Sequence, residues 1–210
     1  MIDRLGRPNN LDEEDFCFYY LVYTPRAGYG HSSANQEIIN YKIPVGTDKG
    51  LRARPDRMPH KHAAIESYGG AIVDFMSSNR LRKTGEPLAS LGERVGIIPM
   101  PPSMRPDDPD YDSRNLDVCD LVCRRTGLKL CRDIETARPG VSSHSGGTRS
   151  PRELRESLER YSDRANACEL AFIVDDVLVT GAHFAAAKSL LLETGFRGQV
   201  FGLFYARAEY

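Results

Sequence analysis

No stretch of this chain stays apolar for the roughly 20 residues that a membrane-spanning helix requires, and its sequence gives no such span. A surplus of one charge is lacking too: 28 Lys and Arg stand against 29 Asp and Glu, a formal net charge of −1. A general nucleic-acid binder shows a basic excess, so that class is disfavoured and a nucleic-acid partner would have to use a local patch. Metal-knuckle spacing is missing. The five cysteines (Cys17, Cys119, Cys123, Cys131 and Cys168) are odd in number, and the five histidines form no HxxxH or HExxH pattern. Cys119 and Cys123 could share a helix face, but no second pair completes a site. Structural zinc is therefore not expected, whereas buried unpaired thiols are. The opening MIDRLGRPNNLDEED is too polar for the apolar core of a secretory leader, so the expected location is cytoplasmic.

What is present fits an α/β unit. At 210 residues, 40% hydrophobic and 27% charged, the chain can bury one substantial core with an appendage. Phe16 to Thr24 (FCFYYLVYT) is aromatic and β-branched and predicts a strand. Glu37 to Lys42 is ambiguous between helix and strand. Asp48 to Lys61 carries Lys49, Arg52, Arg54, Arg57 and Lys61 among two prolines and predicts an exposed basic loop. His62 to Asn79 has near-helical apolar spacing, with Gly69–Gly70 as its weak point.

From Arg94 the texture changes. Val95–Ile98 predicts a buried parallel strand, followed by a loop dense in Pro and Asp, a helix over Arg114 to Gly127, and a strand over Lys129 to Ile134. Arg138 to Ser150 (RPGVSSHSGGTRS) is a Gly/Ser-rich segment expected to be a mobile loop. Helix Pro151–Asp163, strand Leu170–Val174, helix Phe184–Thr194 and strand Val200–Tyr205 complete the alternation. That order predicts a parallel sheet flanked by helices. The expected division is an extension over 1–92 and a core over 93–210.

The sharpest feature is Ala171 to His183 (AFIVDDVLVTGAH): an apolar run, then Asp175 and Asp176, then small residues, then a helix start. Ligands of open α/β sheets lie beyond the carboxyl ends of the strands. The free N–H groups around Thr180 to His183 would make a phosphate cradle at a helix amino terminus, and Gly181 would let the backbone come close. Carboxylates beside a phosphate cradle make electrostatic sense if they bind sugar hydroxyls or neutralise a cation. A strand that ends in acids merely because it reaches water is the ordinary alternative.

This segment resembles the 5-phosphoribosyl-1-pyrophosphate (PRPP) signature of type I phosphoribosyltransferases. It departs from that pattern at Val179 and His183, each of which stands where the family usually has Thr. The loop Gly96 to Arg105 (GIIPMPPSMR) is similar to that of competence-associated amidophosphoribosyltransferase-like proteins. The resemblance covers residues 94–210. It implies a phosphoribosyltransferase-like sheet with a small amino-terminal hood, and transfer of phosphoribosyl from PRPP to a nitrogen nucleophile, a small-molecule base or amine, with release of pyrophosphate.

The site residues follow from the same resemblance. Asp175 and Asp176 would hold the ribose hydroxyls, and Val179, Thr180, Gly181, Ala182 and His183 the 5′-phosphate. Pro101, Pro102, Ser103, Met104 and Arg105 would hold the pyrophosphate. Arg138 and Arg149, flanking His144 in a lid, would act on the leaving group. Mg²⁺ would arrive with PRPP, with Asp175 and Asp176 as candidate ligands. Among the other charged residues of the Pro/Asp loop, Arg105 and Arg114 are the candidate anion contacts, and most of Asp107, Asp108, Asp110 and Asp112 are expected to be solvated. A homodimer is compatible with the family. The rival readings are a non-catalytic PRPP or nucleotide sensor, and an accessory factor in competence or defence whose Lys49–Lys61 segment meets nucleic acid.

Overall fold

A computed structural model of the chain describes residues 8–46, 50–137 and 150–210. Its centre is a five-stranded parallel sheet in the order β1-β7-β6-β2-β3, formed by β1 (Phe16–Tyr23), β2 (Val95–Pro99), β3 (Lys129–Leu130), β6 (Leu170–Leu178) and β7 (Gln199–Ala208). A two-stranded antiparallel hairpin, β4 (Ile134–Thr136) with β5 (Leu158–Arg160), stands apart from it. The pleat sends alternate side chains to opposite faces. Val95, Ile97, Phe172, Val174, Leu203 and Tyr205 pack against α1 (Ser33–Tyr41), α2 (Met58–Ser78) and α3 (Arg114–Thr126). Ile98, Ala171, Ile173 and Phe204 pack against α5 (Ala182–Glu193) in a second cluster. A sheet covered on both faces explains why its central strands read as continuous apolar runs. Among the described residues no helix is long and apolar enough to cross a membrane.

The amino-terminal 92 residues supply part of this same layer: β1 pairs with β7 over its length, and α1 and α2 sit on the face shared with α3. The ambiguous Glu37–Lys42 segment is the end of α1, whose first turn is capped by the Ser32 hydroxyl accepting from the Asn35 amide. Gly69 is not a break in α2. A Cβ at this position would lie 2.6 Å from Leu121 Cδ2, so the glycine permits close packing of α2 on α3.

Three expectations need correction. The basic stretch before residue 62 is not one exposed loop: a 3₁₀ turn at Pro55–Arg57 leads into α2 at Met58, and Lys61 is buried with its ammonium 2.7 Å from both Asp112 oxygens and from the Ile43 carbonyl. Arg54 pairs with Asp56 and Arg52 with Asp110. The strand foreseen over Lys129–Ile134 is divided between two sheets, and the helix over Pro151–Asp163 (α4) stops at Ser157.

Both changes centre on Asp133. Its fully buried carboxylate accepts from Arg160 Nη2, Ser162 Oγ and the Ala165 amide, each at 2.8 Å. Drawing Arg160 inward turns residues 158–160 into a strand, because the extended chain can reach this acceptor while pairing with β4. Removing one member of a buried pair leaves the other charge uncompensated. Asp133→Ala is therefore expected to lower unfolding free energy by about 3–5 kcal/mol, read from the midpoint of urea denaturation. A change within experimental error of wild type would contradict this role.

Candidate functional site

β6 is longer than its apolar sequence implied. It continues through Asp175 and Asp176 to Leu178, with Asp175 paired to Phe204 and Val177 to Ala206 of β7. The twin aspartates therefore lie inside a strand, and its pleat sends them to different partners. Asp176 meets Lys42 Nζ at 2.9 Å and Arg114 Nη2 at 2.8 Å, on the α1 and α3 side. Asp175 is buried and faces His183 Nδ1 at 3.6 Å, on the α5 side. Asn115 reaches across the end of β2, donating to the Met100 carbonyl at 3.0 Å and to Asp175 at 3.3 Å, while accepting from the Tyr41 hydroxyl at 2.8 Å. The Tyr68 hydroxyl donates to the Asp175 and Leu203 carbonyls, which fastens α2 to this point of the sheet.

The ion pairs extend further. Arg114 also binds Asp112 at 2.8 Å, and Asp112 binds the buried Lys61. The result is a continuous series, Lys42–Asp176–Arg114–Asp112–Lys61, with the Arg114 guanidinium 5.7 Å from the centre of the Tyr41 ring. Burial alone would push the Asp176 carboxyl up, but Lys42 and Arg114 outweigh it and hold it well below the usual carboxylate range. His183, whose side chain is exposed, is shifted upward chiefly by the Asp175 carboxylate that it faces. Desolvation lowers Lys61, partly offset by Asp112.

Beyond Leu178 the chain turns through Val179 and Thr180. Gly181 takes a left-handed conformation, φ 81°, and caps α5 without any side-chain hydrogen bond. The Thr180 hydroxyl lies 3.4 Å from the Ala182 amide. One side of this bend is covered by the chain's own amino-terminal segment: the Asn10 amide donates to the Thr180 carbonyl at 2.9 Å, and a Cβ on Gly181 would come within 2.5 Å of Leu11. The opening at Gly181, expected to admit a phosphate, thus admits Leu11 in this arrangement. The other side is open. Asp175, Asp176, Lys42 and all of Val177 to Phe184 line a cavity of about 390 Å³, with Tyr23, Leu154 and Tyr210 among its other lining residues.

The sequence-derived candidates distribute as follows. Asp175, Asp176, Val179, Thr180, Gly181, Ala182 and His183 come together in this cavity. The Pro101–Arg105 loop leaves the end of β2, the strand next to β6, but its Pro101, Pro102 and Met104 border a separate small hollow of about 30 Å³. Thr136 fixes that loop by donating to the Pro102 carbonyl at 2.7 Å. Ser103 and Arg105 are exposed and line neither space. Arg138, His144 and Arg149 lie outside the described residues. Arg114, a candidate contact for an external anion, is committed to two carboxylates of the chain itself, and one of them is Asp112, from the acidic group of which most members were expected to be solvated.

Sequence reasoning missed Lys42, Asn115, Tyr41 and Lys61. Their only local signal was a polar group near the end of an apolar helical stripe; the side-chain contacts that join them to one another and to Asp112, Asp175 and Asp176 link residues 51 or more positions apart. Lys42 and Arg114, which already face Asp176, would compete with a metal ion for that carboxylate. Comparison of the chain with protein-family models and with curated proteins finds no match.

The lowered pKa of Asp176 has a defined consequence. Its stabilising effect is complete above the unfolded carboxyl value, about 4, and is lost as pH falls through the lower folded value. Unfolding free energy should therefore fall on acidification below about pH 4. Asp176→Asn should be less stable at neutral pH and should have a shallower acid dependence, measured by urea titrations across this range. An identical pH slope in the variant would contradict the assigned ion pairs.

Proposed function

We propose that this chain binds PRPP with its Mg²⁺ and acts as a phosphoribosyltransferase toward a nitrogen nucleophile. One observation carries the reading: a single cavity joins two buried or half-buried aspartates to a helix amino terminus whose N-cap is a left-handed glycine without a capping side chain. A sugar phosphate needs these two chemistries a few ångströms apart. Unpaired backbone N–H groups and the helix dipole suit the phosphate. Carboxylates suit ribose hydroxyls and, in the transition state, the positive charge that grows at the anomeric carbon. The volume falls in the range usual for small-ligand pockets.

In this reading the first turn of α5, at Ala182 and His183, and the Thr180 hydroxyl orient the 5′-phosphate. Asp175 and Asp176 accept from the 2′- and 3′-hydroxyls and stabilise the oxocarbenium-like carbon electrostatically. Lys42, at the cavity wall beside Asp176, is the described cation best placed to offset phosphate charge. Mg²⁺ would arrive with the pyrophosphate and supply neutralisation of its charge. The Pro101–Arg105 loop lies at the neighbouring strand end and would receive the pyrophosphate after a local rearrangement. Arg138 and Arg149 remain candidates for closing over it.

A second reading is favoured by the ion pairs themselves. Asp176 is already matched by Lys42 and Arg114, and Leu11 occupies the space over Gly181. Such a site suits a PRPP or nucleotide sensor that binds without turnover.

Exchange of labelled pyrophosphate into PRPP, run with Mg²⁺ and a panel of bases and amines, separates the two. Exchange that drops by about 10² or more in Asp176→Asn supports the enzyme, this being the scale of losing a preorganised electrostatic contact. A rise in melting temperature with PRPP but no exchange supports the sensor. Neither binding nor exchange would sink both.

A further inference from the structure

Strand β1 forms one edge of the sheet, and among the described residues its only ladder is to β7. The opposite edge, β3, is two residues long, which is itself a protection against pairing. β1 has no such protection. Its eight residues, FCFYYLVY, contain no charge, proline or glycine. Phe16, Tyr20 and Val22 are 58%, 55% and 41% exposed, although all three are large and apolar. In a parallel ladder roughly half of a strand's backbone groups point away from its neighbour. Beside this edge, on its α2 side, Phe18, Tyr20, Ile72 and Phe75 line an apolar groove of about 290 Å³.

We infer that β1 is a homodimer interface: two copies pair their β1 strands antiparallel about a two-fold axis, joining the two sheets into one. The flanking charges argue for a second copy rather than an unrelated strand. Exposed Asp12, Glu13 and Glu14 precede β1, and exposed Arg26 follows it. Antiparallel pairing brings the acidic end of one copy to the basic end of the other.

A two-fold antiparallel pair that keeps side chains on matching faces must set one residue against its own counterpart. With Tyr20 on the axis, Phe18 faces the second copy's Val22, and the acidic turn at residues 12–15 comes beside the turn that carries its Arg26. With Tyr19 on the axis, Phe16 takes the place of Phe18. Either central register opposes unlike charges, whereas parallel self-pairing would align the acidic segments. The inference rests on the fold and holds whether or not the chain binds PRPP.

Light scattering coupled to size-exclusion chromatography, on the full chain at micromolar concentration, should give twice the 23.4 kDa chain mass. Val22→Lys should give a monomer with an unchanged circular dichroism spectrum. Arg26→Glu, distant from any packing, should weaken association by about fivefold or more at low salt, the scale of an exposed ion pair replaced by a like-charge contact. Reversing the acidic turn as well, with Asp12→Arg and Glu14→Arg added to Arg26→Glu, should restore it. A monomeric wild type overturns the inference. So does a dimer indifferent to both Val22→Lys and Arg26→Glu, which would place its interface elsewhere.

Discussion

The series of ion pairs Lys42–Asp176–Arg114–Asp112–Lys61 is the constraint on which the candidate site depends. It draws the end of α1, the start of α2 and the start of α3 to the carboxyl end of β6. Buried charges are tolerable only when matched, and loss of one partner costs more than the pair contributes over apolar packing. Here three cations, Lys42, Arg114 and Lys61, stand against three carboxylates, Asp112, Asp175 and Asp176. This balance resolves the difficulty posed by two acids beside a phosphate cradle. The acids bring no uncompensated negative field to the cavity, so an anion at the first turn of α5 need not overcome one.

The same matching carries an opposite implication for chemistry. A carboxylate tied to Lys42 and Arg114 is held in one place and stays ionised, which suits electrostatic stabilisation of a developing cation. It must nevertheless share its oxygens with any sugar hydroxyl that enters. Whether ligand displaces an ion pair or adds to it therefore separates a turning-over site from a sensing one. Leu11 over Gly181 poses the equivalent question for the phosphate side of the cavity.

Much of the fold was legible because it follows from local pattern. β1, β2 and β7 are aromatic or β-branched runs with turn residues at their ends, and α3 stops at Gly127 as its sequence indicates. The failures share a cause. Asp175 and Asp176 look like the end of a strand, but β6 continues because cations from residues 42 and 114 neutralise and anchor Asp176. Lys61 looks solvated within a basic stretch, yet Asp112 draws it inside. Arg160 ends α4 early for the sake of Asp133. Each error concerns a charge whose partner is distant in sequence, a pairing that neither periodicity nor propensity records. For the site, the bend and its small residues were readable from the motif, whereas the groups that fix its electrostatics were not.

The central claim is that a sugar phosphate lodges between the twin aspartates and the first turn of α5. Amide chemical-shift mapping by heteronuclear NMR tests it most directly, because the proposed phosphate ligands are backbone N–H groups. Titration with PRPP and Mg²⁺ should produce saturable shifts at Thr180, Gly181, Ala182 and His183, together with Asp175 and Asp176, that Mg²⁺ alone does not produce. Unmoved amides at that bend, with PRPP in large excess, would contradict the account.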